Sequence, residues 1–529
     1  MTRMFERLTV WGMLGLAAAV AVAVPLYHGL TRFYLANSDQ DVDLTYQALM
    51  LNDGRGVPYH PHTGFGYALM LAPWLSLAHR LNLIEISGID ALIDTTRFDA
   101  LYTQVVAAGR LLTIVFAVAT TFVFWIVVRL CCRDGAIAAL AAFLFATSLG
   151  LGNQFTVLRT ELPSMLAILS AFAMVLVAVR TGGWRAVAAL GIAAFAVIFA
   201  AMIKVQAILV AAFLPLVPFL FAPAPAAGLP SPRAIAGCAA LGAVLGGLGL
   251  FRLADALAMG MTWTYQAAGI VFLVLAVVAY AAVRLRQPRW AIPTLVALAS
   301  GAGLAATLVY AADHWWTLYG IMNVVEFTVH SRQPGVGEGF GALVAAALSM
   351  GFEELSKHLL EFHAKPNDYP LQLIYLGAIA GCLWLLGSGR RPAATRAAYF
   401  LAVAFGLIVI FSPRGYAYYY QIYTEPFFIL AGAIIAAEAV GTGGRRRTVG
   451  IAACLAVALF VGGSTARYRL VAPSTGATRG PEHACCSRDY ATLIGAHFGP
   501  YCAQATVACP LNWDALRAMQ KYYLNKGKP

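Results

Sequence analysis

The sequence predicts an all-α polytopic membrane protein. Of its 529 residues, 60% are hydrophobic and only 11% are charged, and apolar runs of similar length recur along the chain. About 20 residues of helix are needed to cross roughly 30 Å of hydrocarbon, and a helix satisfies its own backbone hydrogen bonds in lipid. Composition and run length therefore place the chain in the membrane class, with helices as the spanning elements.

Thirteen apolar segments are candidates for these transmembrane helices. They cover approximately residues 8–30, 105–128, 135–152, 162–179, 186–203, 205–222, 234–251, 266–283, 290–312, 370–387, 395–412, 426–442 and 448–463. The first follows Arg3 and Arg7. It is longer than the apolar part of a signal peptide and has no small-residue cleavage site after it. We therefore expect an uncleaved first helix with a cytoplasmic N-terminus.

Basic residues cluster at every second connection between these segments. The arginines that follow segments two, four, six, eight, ten and twelve are Arg129, Arg133, Arg180, Arg185, Arg233, Arg284, Arg286, Arg289, Arg390, Arg391, Arg396, Arg445, Arg446 and Arg447. Positively charged loops stay in the cytoplasm, so this alternation predicts that loops 31–104 and 313–369 lie outside an inner (plasma) membrane of the cell envelope. The net charge of +12 is thus explained by topology and contact with membrane lipids, without a nucleic-acid partner.

The residues after the last segment, 464–529, predict a small extracytoplasmic tail beyond the membrane domain, 1–463. The tail holds Cys485, Cys486, Cys502 and Cys509. Cysteines grouped in a small module on an oxidising side favour disulfides. Because a bond between adjacent cysteines is strained, we expect Cys485 and Cys486 each to pair with Cys502 or Cys509. Zinc binding by the same residues is the alternative.

The first outside loop concentrates acidic residues just after the first helix: Asp39, Asp41, Asp43 and Asp53. If a helix begins at Asp39, then Asp39 and Asp43 lie one turn apart on one face, and Asp41 points away from that face. Two like charges on one face favour protonation of one carboxylate or binding of a divalent cation. A simple capping role for Asp39 at a short helix is the alternative.

Further polar residues lie at other outside turns or interrupt apolar runs. His60 and Tyr67 belong to a turn that leads into a short apolar stretch, which we expect to be re-entrant or interfacial. Arg159 and Glu161 lie at the mouth of the fourth predicted helix. Lys204 interrupts an apolar run, where ionisable residues are often functional, although a lysine at a helix end also snorkels to the interface.

Two later outside segments add cationic and aromatic residues. VVEFTVHSRQ holds Glu326, His330 and Arg332, and SPRGYAYYYQIYTEP holds Arg414 among tyrosines that include Tyr419. Aromatic residues at a membrane interface ordinarily form a belt. An arginine among them suits a lipid phosphate or diphosphate, which it binds through two hydrogen bonds. Carboxylates on one loop and cations on others favour a site that binds a lipid phosphate and activates a hydroxyl.

These motifs resemble those of the GT-C superfamily of integral membrane glycosyltransferases, such as protein O-mannosyltransferases and the lipid A aminoarabinose transferase. The segments that carry the resemblance are Asp39 to Gly54, His60-Pro61 with Gly64, Gly66 and Tyr67, Glu161 before Leu162-Pro163, Lys204, and the set Glu326, His330 and Arg332. Two positions depart from the family pattern. His60 stands where relatives often have lysine, and Glu161 where aspartate is commoner.

The resemblance implies a GT-C-like membrane domain, 1–463, that moves a sugar from a polyprenyl-phosphate donor to a lipid, glycan or protein acceptor on the extracytoplasmic face. It implies catalytic roles for Asp39, Asp41 and Glu161. The residues implied in binding the donor phosphate or substrate are His60, Tyr67, Arg159, Lys204, His330, Arg332, Arg414 and Tyr419. A divalent cation stays open, with Asp43, Glu326 and His330 as the candidate ligands.

Two other classes of function are compatible with many helices and buried charges. A transporter or flippase of lipid-linked saccharides is expected to have repeated halves with paired broken helices, and the sequence has no internal repeat. A non-catalytic assembly factor does not need acids and cations that converge. The sequence contains neither a GxxxxGK[ST] loop nor a strand followed by GxGxxG, so no nucleotide cofactor is expected and the sugar must arrive already activated.

Overall fold

The structure is a computed structural model. It describes residues 2–28, 30, 41–55, 65–93, 95–154, 157–181, 183–204, 206–221, 291–310, 345–346, 348–353, 356, 369–411, 420–441 and 444–471. Within these ranges the chain forms helices, turns and short irregular links, and no strand occurs among them. The prediction of an all-helical, multi-pass membrane protein is confirmed for this part of the chain.

Besides the helical residues 345–346, 348–353 and 356, fifteen α-helices have defined bounds within the described residues. They are α1 (Thr2–His28), α2 (Asp43–Asn52), α3 (Phe65–Arg80), α4 (Phe98–Cys132), α5 (Gly135–Ala146), α6 (Leu149–Gly152), α7 (Glu161–Thr181), α8 (Gly183–Ile203), α9 (Ala207–Ala211), α10 (Val217–Phe221), α11 (Ala291–Tyr310), α12 (Tyr369–Gly387), α13 (Arg391–Phe411), α14 (Glu425–Val440) and α15 (Gly444–Val471). Short 3₁₀ turns lie at Asp90–Leu92, Leu214–Leu216 and Tyr420–Tyr423.

Seven of the described helices are long and apolar enough to cross a membrane. They are α1, α4, α7, α8, α13, α15, and α14 taken together with the 3₁₀ turn before it. Shorter apolar stretches lie in α5, α11 and α12. Two of the predicted segments, 234–251 and 266–283, lie outside the described residues. The total of thirteen spans therefore stays a prediction.

Two of the predicted spanning segments are not continuous helices, and this part of the prediction is wrong. Segment 135–152 divides into α5 and α6, because Ser148 caps the second helix by accepting a hydrogen bond from the N–H of Leu151. Segment 205–222 divides into α9, a 3₁₀ turn and α10. Pro215, which lacks an N–H, lies at the start of that turn. Hydropathy alone detects neither the cap nor the break.

The long helix α4 belongs to two hydrophobic cores. Its C-terminal half packs with α1, α5, α7 and α14 in the main core. Its N-terminal half packs with α2, α3 and the segment 84–92 in a second core, called here the outer-loop cluster, which also includes Leu158 and Ile203. The first loop is therefore a folded helical unit on one end of α4. The apolar stretch expected to be re-entrant is α3, which packs on α2, α4 and α8.

Contacts between helix ends show which connections share one end of the bundle. Arg447 of α15 forms ion pairs with Glu6 of α1 at 2.6 Å and with Asp134, the N-cap of α5, at 2.8 Å. Arg390, between α12 and α13, contacts Glu438 near the end of α14. Asp134, Arg390 and Arg447 lie at connections predicted to be cytoplasmic. Glu6 precedes the first segment and Glu438 lies near the end of segment 426–442, so the contacts join ends that the alternation predicts to lie on one side. Which end faces the cytoplasm stays a prediction.

Candidate functional site

Asp41 begins the helical turn that leads into α2, and its side chain is 0% exposed. Its Oδ2 accepts a hydrogen bond from Arg110 Nη2 of α4 at 2.6 Å, and its Oδ1 accepts one from the backbone N–H of Leu158 at 2.7 Å. Both carboxylate oxygens are thus engaged inside the protein. Good geometry and added hydrogen bonds are what a buried ion pair needs to offset its desolvation.

The neighbours of this ion pair come from α3 and α4. Tyr102 of α4 donates its hydroxyl hydrogen to the carbonyl oxygen of Val42 at 2.9 Å, and its oxygen lies 2.9 Å from Thr45 Oγ1, which fixes the start of α2 on α4. Tyr67 of α3 is also fully buried. Burial, and then the charge of Asp41, raise the pKa of the Tyr67 hydroxyl well above its ordinary value. Tyr67 therefore presents a neutral hydroxyl.

A second buried cluster lies where α7 begins and α8 ends. Glu161, the first residue of α7, has Lys204 Nζ 3.2 Å from its Oε1 and Arg159 Nε 3.7 Å from its Oε2. All three side chains are more than nine-tenths buried, so Lys204 pairs inside the protein and does not snorkel to the interface. Each charge also suits its helix end, because a helix N-terminus stabilises an anion and a C-terminus stabilises a cation.

The short segment 157–161 connects the two buried clusters. Leu158 donates its N–H to Asp41, Arg159 follows directly, and Glu161 starts α7. Since a residue spans at most about 3.6 Å of chain, Leu158 and Glu161 lie within roughly 11 Å of each other. The structure therefore brings Asp41, Arg159 and Glu161 to the same end of the bundle, opposite the end that holds Arg447.

Helix α3 joins the same clusters from another side. Gly66 packs against the backbone at the end of α8, and a Cβ at this position would lie 3.0 Å from backbone atoms of Met202 and Ile203. A side chain here would force α3 and α8 apart, so glycine permits the contact. Tyr67 follows Gly66, and Lys204 follows Ile203. The contact thus places the start of α3 beside the helix end that carries the buried lysine.

Three residues at this end were not predicted from the sequence: Arg110, Tyr423 and Glu425. The hydroxyl of Tyr423 hydrogen-bonds to Ser164 Oγ, and Ser164 donates to the carbonyl oxygen of Glu161 at 2.8 Å. Two residues after Tyr423, Glu425 accepts a hydrogen bond from the N–H of Gly150 at 2.7 Å. The segment 420–425 is therefore packed against the Glu161 cluster on one side and α6 on the other.

The sequence contained a signal for Arg110 and for Glu425, whereas nothing in it distinguished Tyr423 from the neighbouring tyrosines. Arg110 is a charged residue inside an apolar segment, which indicates a functional or paired side chain in a membrane helix. Glu425 lies in Thr-Glu-Pro, which echoes Thr-Glu-Leu-Pro around Glu161 at the start of α7. Tyr423 is completely buried, whereas a residue of an aromatic belt is expected at the lipid interface.

Several predicted site residues lie outside the described part of the chain. They are Asp39, His60, Glu326, His330, Arg332, Arg414 and Tyr419, together with the side chain of Asp43 and the tail cysteines Cys485, Cys486, Cys502 and Cys509. Among the residues that are described, no group of three or more His, Cys, Asp or Glu side chains is arranged to hold a metal ion. The described cysteines Cys131, Cys132, Cys382 and Cys454 are free.

No protein-family model matches the chain, and no curated protein matches its sequence. The function is therefore argued from the site. Arg159 and Lys204 converge on one carboxylate, and both residue types bind phosphate oxygens. An entering phosphate would compete with Glu161 for these two cations. The site thus combines buried acids with cations suited to an anionic ligand.

Proposed function

We propose that this protein is a GT-C-type membrane glycosyltransferase, which moves a sugar from a polyprenyl-phosphate donor to a lipid, glycan or protein acceptor on the extracytoplasmic face. The observation that carries the proposal is the segment 157–161. It binds Asp41 through Leu158 and continues into Arg159 and Glu161, so that acids and phosphate-binding cations belong to one packed unit. Glycosyl transfer from a lipid phosphate requires both kinds of group.

In the proposed reaction, the oxygen of the acceptor hydroxyl bonds to the anomeric carbon of the sugar while the bond from that carbon to the phosphate oxygen breaks. The electron pair of the broken bond leaves with the polyprenyl phosphate, and the hydroxyl proton passes to a carboxylate. A phosphate is already a good leaving group. Positioning and a base therefore account for most of the required catalysis, and no covalent intermediate is needed.

The acidic residues are proposed to have different roles. Asp39 is the proposed base, because it has the spacing to Gly54 that the GT-C resemblance requires. Asp41 is proposed to position the first loop and the segment 157–161, since Arg110 and Leu158 engage both of its oxygens. An oxygen held in this way is poorly placed to accept a proton from an acceptor.

The cationic residues are proposed to stabilise the charge that develops on the leaving phosphate. Lys204 and Arg159 supply the buried part of this site, where low dielectric strengthens their attraction for an anion. Glu161 holds both cations in place before the phosphate binds. Arg332 and Arg414 are proposed to approach the same phosphate from later outside loops.

One pair of variants separates binding from turnover. Asp39→Asn removes basicity while keeping shape, so turnover should fall by about 10²–10⁴ with polyprenyl-phosphate binding kept. Lys204→Gln removes a charged hydrogen-bond donor and should weaken polyprenyl-phosphate binding by roughly tenfold or more. Both are measured on purified protein, by transfer from a polyprenyl-phosphate sugar and by binding of polyprenyl phosphate.

The matched control is Arg390→Gln, because this arginine lies at the opposite end of the bundle and should leave binding and turnover unchanged. Equal loss of binding in Lys204→Gln and Arg390→Gln would refute a specific phosphate site. Movement of an intact lipid-linked saccharide across proteoliposomes, without formation of a new glycosidic bond, would instead establish the flippase alternative.

A further inference from the structure

Gln206, in the link between α8 and α9, is a buried amide without a hydrogen-bond partner among the described residues. The residue is 3% exposed, and within this part of the chain neither Oε1 nor Nε2 forms a hydrogen bond. It precedes α9, yet its side chain does not cap that helix. A buried amide left unsatisfied costs free energy, so its presence requires an explanation, and binding of a ligand is one that fits a place beside a charged cluster.

The position of Gln206 connects it to the proposed phosphate site. It lies two residues after Lys204, and the N–H of Ala207 bonds to the carbonyl oxygen of Lys204 at 2.8 Å, which turns the chain tightly at this point. The turn lies where the predicted segments 186–203 and 205–222 meet, and the second of these segments is itself broken into α9, a 3₁₀ turn and α10. Broken helices at membrane depth are tolerated where they are packed in protein or line a polar cavity, and they often carry binding groups.

A second glutamine with an unpartnered oxygen lies near the same cluster. Gln421 is buried, and its Oε1 has no hydrogen-bond partner in the described part of the chain. It belongs to the turn Tyr420–Tyr423, whose last residue bonds to Ser164 beside Glu161. Neutral amides thus occur in both segments next to the charged cluster. Each adds hydrogen-bonding capacity without adding charge.

We infer that the Gln206 amide binds hydroxyl groups of an uncharged sugar whose phosphate is held by Lys204 and Arg159. The inference rests on the proposed function and names its substrate class: a neutral hexose or pentose. An amide offers one acceptor and two donor hydrogens, which match neighbouring hydroxyls of a sugar ring. Glu161 is already paired with both cations, and a neutral amide supplies no charge to compensate for the ammonium group of an amino sugar.

The test is Gln206→Leu, with Gln47→Leu as the matched control. Gln47 is equally buried but has an interaction partner in the structure. Replacing an unsatisfied amide by a similar apolar group is neutral or stabilising, whereas removing a partnered one leaves its partner unsatisfied. Without ligand, we therefore expect Gln206→Leu to melt at or above the wild-type temperature and Gln47→Leu to melt below it.

Ligand titrations on the purified full chain, followed by thermal stability, complete the test. The probes are polyprenyl phosphate, its neutral hexose derivative and its amino-sugar derivative. The wild type should bind the hexose derivative more tightly than bare polyprenyl phosphate, and Gln206→Leu should lose roughly tenfold or more of that affinity while binding the bare lipid normally. Gln206→Asn, which keeps a shorter amide, should fall in between.

Four results would overturn the inference. Unchanged preference for the hexose derivative in Gln206→Leu, or equal preference of the wild type for the amino-sugar derivative, would remove the sugar contact while leaving the proposed function intact. Ligand-free melting of Gln206→Leu as low as that of Gln47→Leu would show that the amide is structural. A wild type that responds to none of the three lipids would refute both the inference and the proposed function.

Discussion

The buried pair between Arg110 and Asp41 tests how the outer-loop cluster is held on α4. The two side chains are 2% and 0% exposed and meet at 2.6 Å. Arg110→Met keeps most of the apolar volume and removes the ion pair, while Oδ1 of Asp41 still accepts the N–H of Leu158. Removing one partner of a buried ion pair costs about 3–5 kcal/mol, so the free energy of unfolding should fall by that amount.

A double-mutant cycle with Asp41→Asn isolates the charge pair from the lost packing. The asparagine oxygen still accepts the N–H of Leu158, so the double variant replaces two charges with neutral groups. We expect it to recover at least about 2 kcal/mol relative to the sum of the single variants. Unfolding in mixed micelles, monitored by circular dichroism, measures all four proteins.

The control for this cycle is an ion pair of the same chemistry on the surface. Arg97 and Glu85 form two hydrogen bonds, but their side chains are 60% and 47% exposed. Solvent screens such pairs, so Arg97→Met should produce no resolvable change. If Arg110→Met is as mild as Arg97→Met, or if the cycle is additive, the anchoring role given to Asp41 is wrong.

Two further predictions concern packing and pH. A Cβ at Gly150 would lie 2.4 Å from Ile422 N, so Gly150→Ala should lower the unfolding free energy by about 1–3 kcal/mol. Gly463 has open space around its Cα, so the control Gly463→Ala should leave the unfolding free energy unchanged. Equal melting temperatures of the two variants would contradict this reasoning. Hydrogen bonds from Arg97, and then from Gln104, hold the pKa of Glu85 below its ordinary value. The ionised Glu85 therefore stabilises the folded first loop fully at pH values above its ordinary pKa, and this stabilisation is lost as the pH falls through the lowered pKa. Protection of the backbone amides of residues 84–97 from hydrogen exchange measures this stabilisation. Protection that does not change with pH would refute the prediction.

Apolar run length predicted the all-helical architecture well, because crossing a bilayer imposes a length and a composition that a single sequence displays. It failed in the segments 135–152 and 205–222. Both are mainly apolar, and the features that divide them are local: the capping hydroxyl of Ser148 and the missing N–H of Pro215. These residues were visible in the sequence, but a hydropathy pattern gives them no weight.

The candidate site was only partly predictable for a different reason. Glu161 and Lys204 were found because a charged residue beside or within an apolar run is conspicuous. Their pairing was not predicted, because it depends on α7 and α8 lying antiparallel, with the start of α7 beside the end of α8. Likewise, Asp41 and Arg110 are 69 residues apart in the chain, and their contact follows from how the first loop folds onto α4.

The Arg447 contacts also have a consequence for the order of assembly. Glu6 is synthesised 441 residues before its partner Arg447. Asp134 likewise precedes this arginine by 313 residues. Contacts between such distant parts of a chain form late, after the intervening helices have been inserted. At this end of the bundle, the contacts of α1 and α5 with α15 therefore form last. A chain truncated before Arg447 would leave Glu6 and Asp134 without this ion-pair partner.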